Sequence, residues 1–551
     1  MEIFSAPDAS KLAGMSISTR SHWGWGWADR FPEASVRGSL AEMLPALVGF
    51  AGQPPDDPVP IEAIELPRSR VTIPQELAAS AESSAEARIR HTYGRSYPEQ
   101  LRGYHGDFSR APDIVAQPRT EAELVQWLQF ASQEGVTIVP RGGGTSVCGG
   151  VTPDAPRPWI CLSLQHLDKV LEVDRTSLTA RIQAGALGPQ LESQLAPHGL
   201  TLRHYPQSFE FSTLGGWIAT RAGGHFATRY THIDDLVASV RMVTPQGPWE
   251  SRRLPGSGAG PSPDRLVLGS EGTFGVITEA WMRVRPRPVH RAKATVTFSD
   301  YGKAVEAVRA VVQARLYPSN CRLLDRREAL LNRLPNAAEG VLLLGFESAD
   351  RPVREPLQRA LELCAAHGGV APEGPEIREG DNGGDGDTAG SWKSSFFEGP
   401  YLQSLLISVG VIADTFETAV PWDQFESLHQ GVIRATRAAM KAQSGGHAFI
   451  SCRFTHVYPD GPAPYFTWLM PAERGREAEQ WAAVKQAASE AVLTHGGTIT
   501  HHHAVGRVHR PGYEVQRPAP FGEVLAAVKR TVDPAGVLNP GVLVRDAGAD
   551  S

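Results

Sequence analysis

After a short strand-like run, Val136-Thr137-Ile138-Val139, the chain enters Pro140-Arg141-Gly142-Gly143-Gly144-Thr145-Ser146. Three consecutive glycines present backbone amides with no side chains in the way, and such a loop can close on pyrophosphate oxygens. It lacks both the Gly-Lys-Ser/Thr of a P-loop and the Gly-x-Gly-x-x-Gly of a dinucleotide fold. The lead-in is helical. Thr120 is a good N-cap, Glu123 completes a capping box, and Leu124, Trp127, Leu128 and Ala131 recur at helical spacing before Gly135. Helix, strand and loop in this order suit an α+β or α/β nucleotide domain. One glycine run alone is equally a structural turn.

Two further stretches combine hydroxyls with glycines. They are Phe211-Ser212-Thr213-Leu214-Gly215-Gly216-Trp217-Ile218-Ala219-Thr220-Arg221-Ala222-Gly223-Gly224 and Gly269-Ser270-Glu271-Gly272-Thr273-Phe274-Gly275-Val276-Ile277-Thr278. Three such segments in about one domain length are specific. Between and beyond them, Ile160–Leu164, Thr179–Ala184 and Val341–Phe346 read as strands, and Leu187–Ala196 and Tyr301–Ala314 as helices. Residues 255–264 read as a surface loop, and the acidic glycine run at 379–390 as a solvated loop, since a calcium loop needs a Glu ligand at its far end.

At 551 residues the chain needs two or three domains. A net charge of −6 leaves no electrostatic footprint for nucleic acid. Five scattered cysteines without a C-x-x-C pair argue for free thiols and against a structural zinc site. No segment has the apolar length of a membrane span, so a cytoplasmic protein is expected.

Near the C-terminus, Thr500-His501-His502-His503-Ala504-Val505-Gly506 brings three imidazoles together. On a strand, His501 and His503 would share a face and His502 would oppose them. Such a run serves a metal, a proton relay or an anion.

In order along the chain, the three glycine segments resemble the FAD-binding domain of the vanillyl-alcohol oxidase superfamily. Further segments are Trp23-Gly24-Trp25-Gly26-Trp27, Arg322-Leu323-Leu324-Asp325, Thr415-Phe416-Glu417-Thr418-Ala419-Val420-Pro421-Trp422-Asp423, Ser451-Cys452-Arg453-Phe454-Thr455, Tyr465-Phe466 and the triple histidine. Together they are similar to the alkyldihydroxyacetonephosphate synthase family over nearly the whole chain. The resemblance implies an α+β fold: a PCMH-type FAD-binding domain with an α/β cap. The expected divisions are an N-terminal docking segment (1–96), the FAD domain (97–289), the cap (290–500) and a tail returning to the FAD domain (501–551).

The resemblance also implies the chemistry: exchange of the acyl chain of acyl-dihydroxyacetone phosphate for a fatty alcohol. The flavin stays redox-neutral overall, its N5 bonding the substrate carbon. Tyr465 matches the acid/base tyrosine, His501, His502 and His503 the essential histidines, His204 a histidine near the flavin, and Arg322 an arginine of the active fold. Pro140 to Ser146, Gln207-Ser208-Phe209-Glu210, Phe211 to Thr213, Thr220 to Gly223 and Glu271 to Ile277 match the FAD contacts. Thr145 stands where covalent relatives carry a histidine, so FAD is expected to be non-covalent.

Tyr465 is a poor base in water, and neighbouring cationic imidazoles would favour its phenolate. A metal would need neutral, convergent imidazoles with a further ligand. None is visible nearby in sequence, so no metal is expected. Two departures from the family pattern stand out. Gln403 in Tyr401-Leu402-Gln403-Ser404 replaces a phosphate-binding arginine, leaving Lys393 and Arg453 as substitutes, and Gln207 replaces an aspartate. Two rivals therefore stay open: an FAD oxidase or dehydrogenase of a hydroxy acid or alcohol, and a flavin-binding scaffold. A lipid-like substrate implies transient membrane-surface contact, and a homodimer is allowed.

Overall fold

The computed structural model describes residues 19–154, 157–230, 232–332, 334, 338–378 and 390–545, without the side chains of Tyr230 and of 390–397. The acidic glycine run and the Lys393 side chain therefore lie outside the described residues.

Two small sheets build the first half. In one, Trp159–Ser163 lies between Ile114–Ala116 and Thr137–Arg141, parallel to both, and Ala81–Glu82 pairs antiparallel at the edge. The other is antiparallel, in the order Val170–Asp174, Thr179–Gln183, Val276–Arg283, Val237–Thr244, Gly247–Glu250. One apolar core serves both sheets, and the helix Glu121–Glu134 buries Leu124, Trp127, Leu128 and Ala131 in it. Thr120 caps that helix as its sequence predicts, accepting from Glu123 N. The Glu123 carboxylate accepts from Arg119 N rather than from the N-cap amide. Gly135 closes the helix with φ +65°.

The second half is a seven-stranded antiparallel sheet. Its order is Glu376–Arg378, His290–Phe298, Gly340–Ser348, Asn320–Asp325, Phe449–Val457, Pro462–Pro471, Val411–Glu417. Its strands alternate. Leu323, Cys452, Phe454, Phe466, Trp468, Ile412 and Phe416 go into a core shared with the helices Tyr301–Gln313, Arg354–Ala366, Phe425–Gln443 and Glu477–Thr494. The opposite face carries Arg322, Arg453, Tyr465 and Thr415, and these line the main cavity. The period of two thus sorts one sheet into a packing face and a chemical face.

The ends of the chain close the assembly. Trp23 enters the cap core, and Trp25 packs with Phe211 and Tyr401. Trp25 also lines the cavity. The tail returns to the first half. Leu538 bridges Ile138 in parallel, Asn539 Nδ2 donates to Gly150 O and Glu271 O, and Lys529 Nζ donates to Thr273 O. Among the described residues no helix is long and apolar enough to cross a membrane.

A buried ion pair joins the halves: Arg203 Nε donates to Glu347 Oε1 at 2.9 Å, with both side chains about 5 % exposed or less. Removing one partner leaves a buried charge uncompensated. Glu347→Ala is expected to cost about 3–5 kcal/mol, read by denaturant unfolding of the FAD-loaded protein. A loss below about 1 kcal/mol would mean that water reaches Arg203.

Candidate active site

The glycine loop and the chemical face of the cap sheet border one cavity. Two of the loop's carbonyls are spent on the protein: Arg20 Nη1 donates to Gly143 O at 2.8 Å and Arg95 N to Ser146 O at 2.5 Å. Its amides are not. None of the N–H groups of Gly142 to Ser146 donates to an acceptor among the described residues. Unmet amides are costly when sequestered, so a run of them beside a cavity fits an anionic ligand. The glycines are obligatory on the other side. A Cβ at Gly143 would lie 1.7 Å from Phe211 O and one at Gly142 2.1 Å from Thr213 Oγ1.

Of the FAD contacts expected from sequence, Pro140 to Ser146, Gln207, Ser208, Ser212, Thr213, Thr220, Ala222, Gly223, Glu271, Gly272, Gly275 and Ile277 line this cavity. The others do not. Phe209 stacks on Tyr205, Glu210 accepts from Trp27 Nε1, and Phe211 packs on Trp25 and Trp27. Arg221 pairs with Asp234, and Thr273, Phe274 and Val276 are buried away from the cavity. In each case a neighbour in the motif reaches the cavity and the named residue supports it.

Three strands place the reactive side chains in a row. Tyr465 on Pro462–Pro471 lies directly opposite Glu417 on one neighbouring strand and Arg453 on the other. Opposed residues of an antiparallel sheet share a face, so the three align. The Arg453 guanidinium stacks 4.0 Å from the Tyr465 ring centroid and is ion-paired with Glu328. The Tyr465 hydroxyl donates to Thr415 Oγ1 at 2.9 Å. Burial raises the Tyr465 pKa above 10.0, and Arg453 opposes that rise. Arg322 also lines the cavity. Burial and then the charge of Arg453 push its pKa down to about 9.

The triple histidine does not form a strand. Glu417, 2 % exposed, collects the amides of His501 (2.6 Å), His502 (3.1 Å) and His503 (2.9 Å) and the Thr500 hydroxyl (2.6 Å). Three successive amides aimed at one carboxylate curl the chain, and Ala504 then takes a left-handed φ of +71°. The three rings accordingly fan out instead of alternating. His502 and His503 face Tyr465, with ring centroids 6.1 and 5.4 Å away, and line the cavity. His501 turns away to His232 and Tyr458. His204 is buried behind the cavity wall against Trp217.

Nor are the imidazoles cationic. Burial pushes His502 down to about 3 and His503 to about 4, against the pull of Glu417, and holds His501 well below its ordinary value. Glu417 itself is held well below the carboxylate range. Burial opposes this, and with the imidazoles neutral the carboxylate is held ionised by the three backbone amides and the Thr500 hydroxyl that donate to it. The charge that favours a Tyr465 phenolate is therefore that of Arg453, not of the histidines.

The hydrogen bonds assign tautomers. His232 Nδ1 faces a carbonyl, Arg221 O, at 3.3 Å, so it carries the proton and Nε2 accepts. His501 Nε2, 3.1 Å from His232 Nε2, must then donate, which leaves His501 Nδ1 to accept from His502 Nδ1 at 3.0 Å. His502 thus keeps a lone pair on Nε2. Gln403 lines the cavity, but its amide nitrogen is committed to Ala413 O at 3.0 Å.

Sequence reasoning missed Glu417, His456 and His232. Glu417 was visible as the strand neighbour of Thr415 on the same face. His456 was not, because a β-bulge between Phe454 and His456 breaks the alternation and lets both Thr455 and His456 line the cavity.

Known proteins fit this geometry. Residues 112–251 match the FAD binding domain family and residues 287–543 the C-terminal domain of FAD linked oxidases. Fold and cavity thus define an FAD-binding protein of the α+β type, and the residues around the glycine loop suit its pyrophosphate. An alkyldihydroxyacetonephosphate synthase of Dictyostelium discoideum is 31% identical over 489 residues, 83% of this chain and 77% of that protein. One of Caenorhabditis elegans is 31% identical over 496 residues, 86% of this chain and 83% of that protein. A solved structure of an alkyldihydroxyacetonephosphate synthase superposes with a TM-score of 0.79 at 26% identity, covering 95% of this chain and 98% of that one. The chain belongs to the alkyldihydroxyacetonephosphate synthase family.

Gly143→Ala tests the loop. Its Cβ would push the loop off Phe211, so FAD affinity should fall by about tenfold or more, read as flavin absorbance per protein during dilution. Unchanged retention of FAD would show that the loop does not hold the cofactor.

Proposed function

We propose that this protein exchanges the acyl chain of acyl-dihydroxyacetone phosphate for a fatty alcohol, with non-covalent FAD redox-neutral over the cycle. The observation that carries this is the row Glu417–Tyr465–Arg453 with His502 and His503, facing the glycine loop across one cavity. Bound there, FAD supplies a reactive isoalloxazine for the substrate carbon.

The reaction must take a proton from beside a ketone, release a fatty carboxylate and accept an alcohol. Tyr465 rests as a neutral phenol, so it can give its proton to the departing carboxylate and recover one from the incoming alcohol. Arg453 above its ring stabilises the intervening phenolate. His502 and His503, neutral through burial, offer lone pairs that receive the substrate proton only in passing, since the same burial makes them weak bases. Glu417 fixes their position and does not itself transfer the proton.

Gln403 supplies no charge for a phosphate, and its amide nitrogen is already engaged. We place the phosphate near Arg322 and Arg453 instead, where an anion would relieve the repulsion between the two guanidinium groups. A lipid substrate implies transient contact with a membrane surface, and the tail helices Arg510–Gln516 and Ala519–Val532 expose Val515, Phe521 and Val524.

The test is anaerobic incubation of FAD-loaded protein with acyl-dihydroxyacetone phosphate and labelled fatty alcohol. Ether product should form with no net flavin reduction. Tyr465→Phe should retain FAD and lose about 100-fold or more of the rate. No ether product, together with flavin bleaching by a 2-hydroxy acid, would replace this reading with a dehydrogenase.

A further inference from the structure

We propose that His456, His501 and His502 form a binding site for a divalent transition metal of the zinc, cobalt or copper class. One ring nitrogen of each lies within 4.8 Å of the others. His501 Nδ1 and His502 Nδ1 face each other at 3.0 Å. Neighbouring nitrogens on a tetrahedral zinc ion, with bonds of about 2.0–2.1 Å, stand about 3.3 Å apart. Insertion of the ion therefore needs only a small outward movement of these rings.

His456 is a second, independent observation. It is 1 % exposed, and neither ring nitrogen has a hydrogen-bond partner among the described residues. Leaving such groups unmet in the interior is costly, and a metal satisfies one ring nitrogen directly. The bulge between Phe454 and His456 points the ring at the cluster. Its ring centroid lies 5.3 Å from that of His501 and 5.2 Å from that of His502.

The surroundings fit a metal of that class. The donors are imidazoles with no thiolate, which suits zinc, cobalt or copper and not magnesium or calcium. The Tyr458 hydroxyl and His232 Nε2, at 3.0 and 3.1 Å from His501 Nε2, hold the ring nitrogen opposite the metal and so orient His501. Glu417 Oε2 lies 3.5 Å from the same His502 Nδ1, so its carboxylate puts negative charge beside the ion.

The metal would engage His501 and His502, the second of which offers its lone pair to substrate in the proposed reaction. Occupancy would therefore inhibit turnover reversibly. Binding itself does not depend on that reaction, and its test reads no turnover.

Cobalt(II) chloride alone is titrated into FAD-loaded protein, into His456→Gln and into His502→Gln, following the d–d absorption of the bound ion. The wild type should take up one cobalt per chain in an imidazole-ligated spectrum. Each variant that melts as a folded protein should bind about tenfold more weakly or worse. No stoichiometric uptake by the wild type overturns the proposal. So does uptake that persists unchanged in the folded variants, which would show adventitious binding at surface histidines.

Discussion

The carboxylate of Glu417 receives four donors from a single turn, three backbone amides and a threonine hydroxyl, at the end of a buried strand. A neutral residue there would leave those amides facing a side chain unable to balance them, each unmet group costing about 1–3 kcal/mol. The turn therefore exists because the anion does. It carries the only three consecutive histidines of the chain, and its curl sends two rings toward the cavity and one toward His232 and Tyr458. Glu271 anchors the far side of the same turn, accepting from Val505 N and Gly506 N, so a carboxylate from each half of the molecule grips it.

This arrangement divides labour between charge and position. Burial keeps the imidazoles neutral, with lone pairs free but weakened as bases, while the positive charge beside Tyr465 comes from Arg453 on the adjacent strand. A phenol among cationic histidines would be a resting phenolate. Here the phenol is the resting form and the cation stands over its ring, so the acid and base roles proposed above fall to different groups. The glycine loop opposite leaves its amides for an anion, and the cap sheet turns its polar face to the same space.

Much of this was legible in the sequence because it follows local rules. The capped helix before the glycine loop, the helix near Tyr301 and the strand around Leu342 follow from periodicity and end signals. The three glycine segments announced the flavin cavity as a set. What failed was orientation within motifs. The phenylalanines at 209, 211 and 274 and Arg221 sit in cofactor segments but brace them from behind, since consecutive residues of a loop point different ways. The curl of the histidine run is not legible either, because nothing local shows that Glu417, more than 80 residues away, gathers its amides. His456 escaped because a bulge is a feature of pairing between strands. Tyr465, Arg453 and Glu417 fell into one row only once strand register was known.

The central claim is that Glu417 holds a turn of neutral histidines beside Tyr465. Nitrogen NMR of histidine-labelled, FAD-loaded protein across a pH titration tests it most directly. Because burial lowers both pKa values, the lone pairs are present above the folded values and lost only in acid. The account predicts that His502 and His503 keep the shifts of neutral imidazole down to about pH 5, with His502 protonated on Nδ1. Titration of either ring with an ordinary midpoint near 6.5 would contradict it.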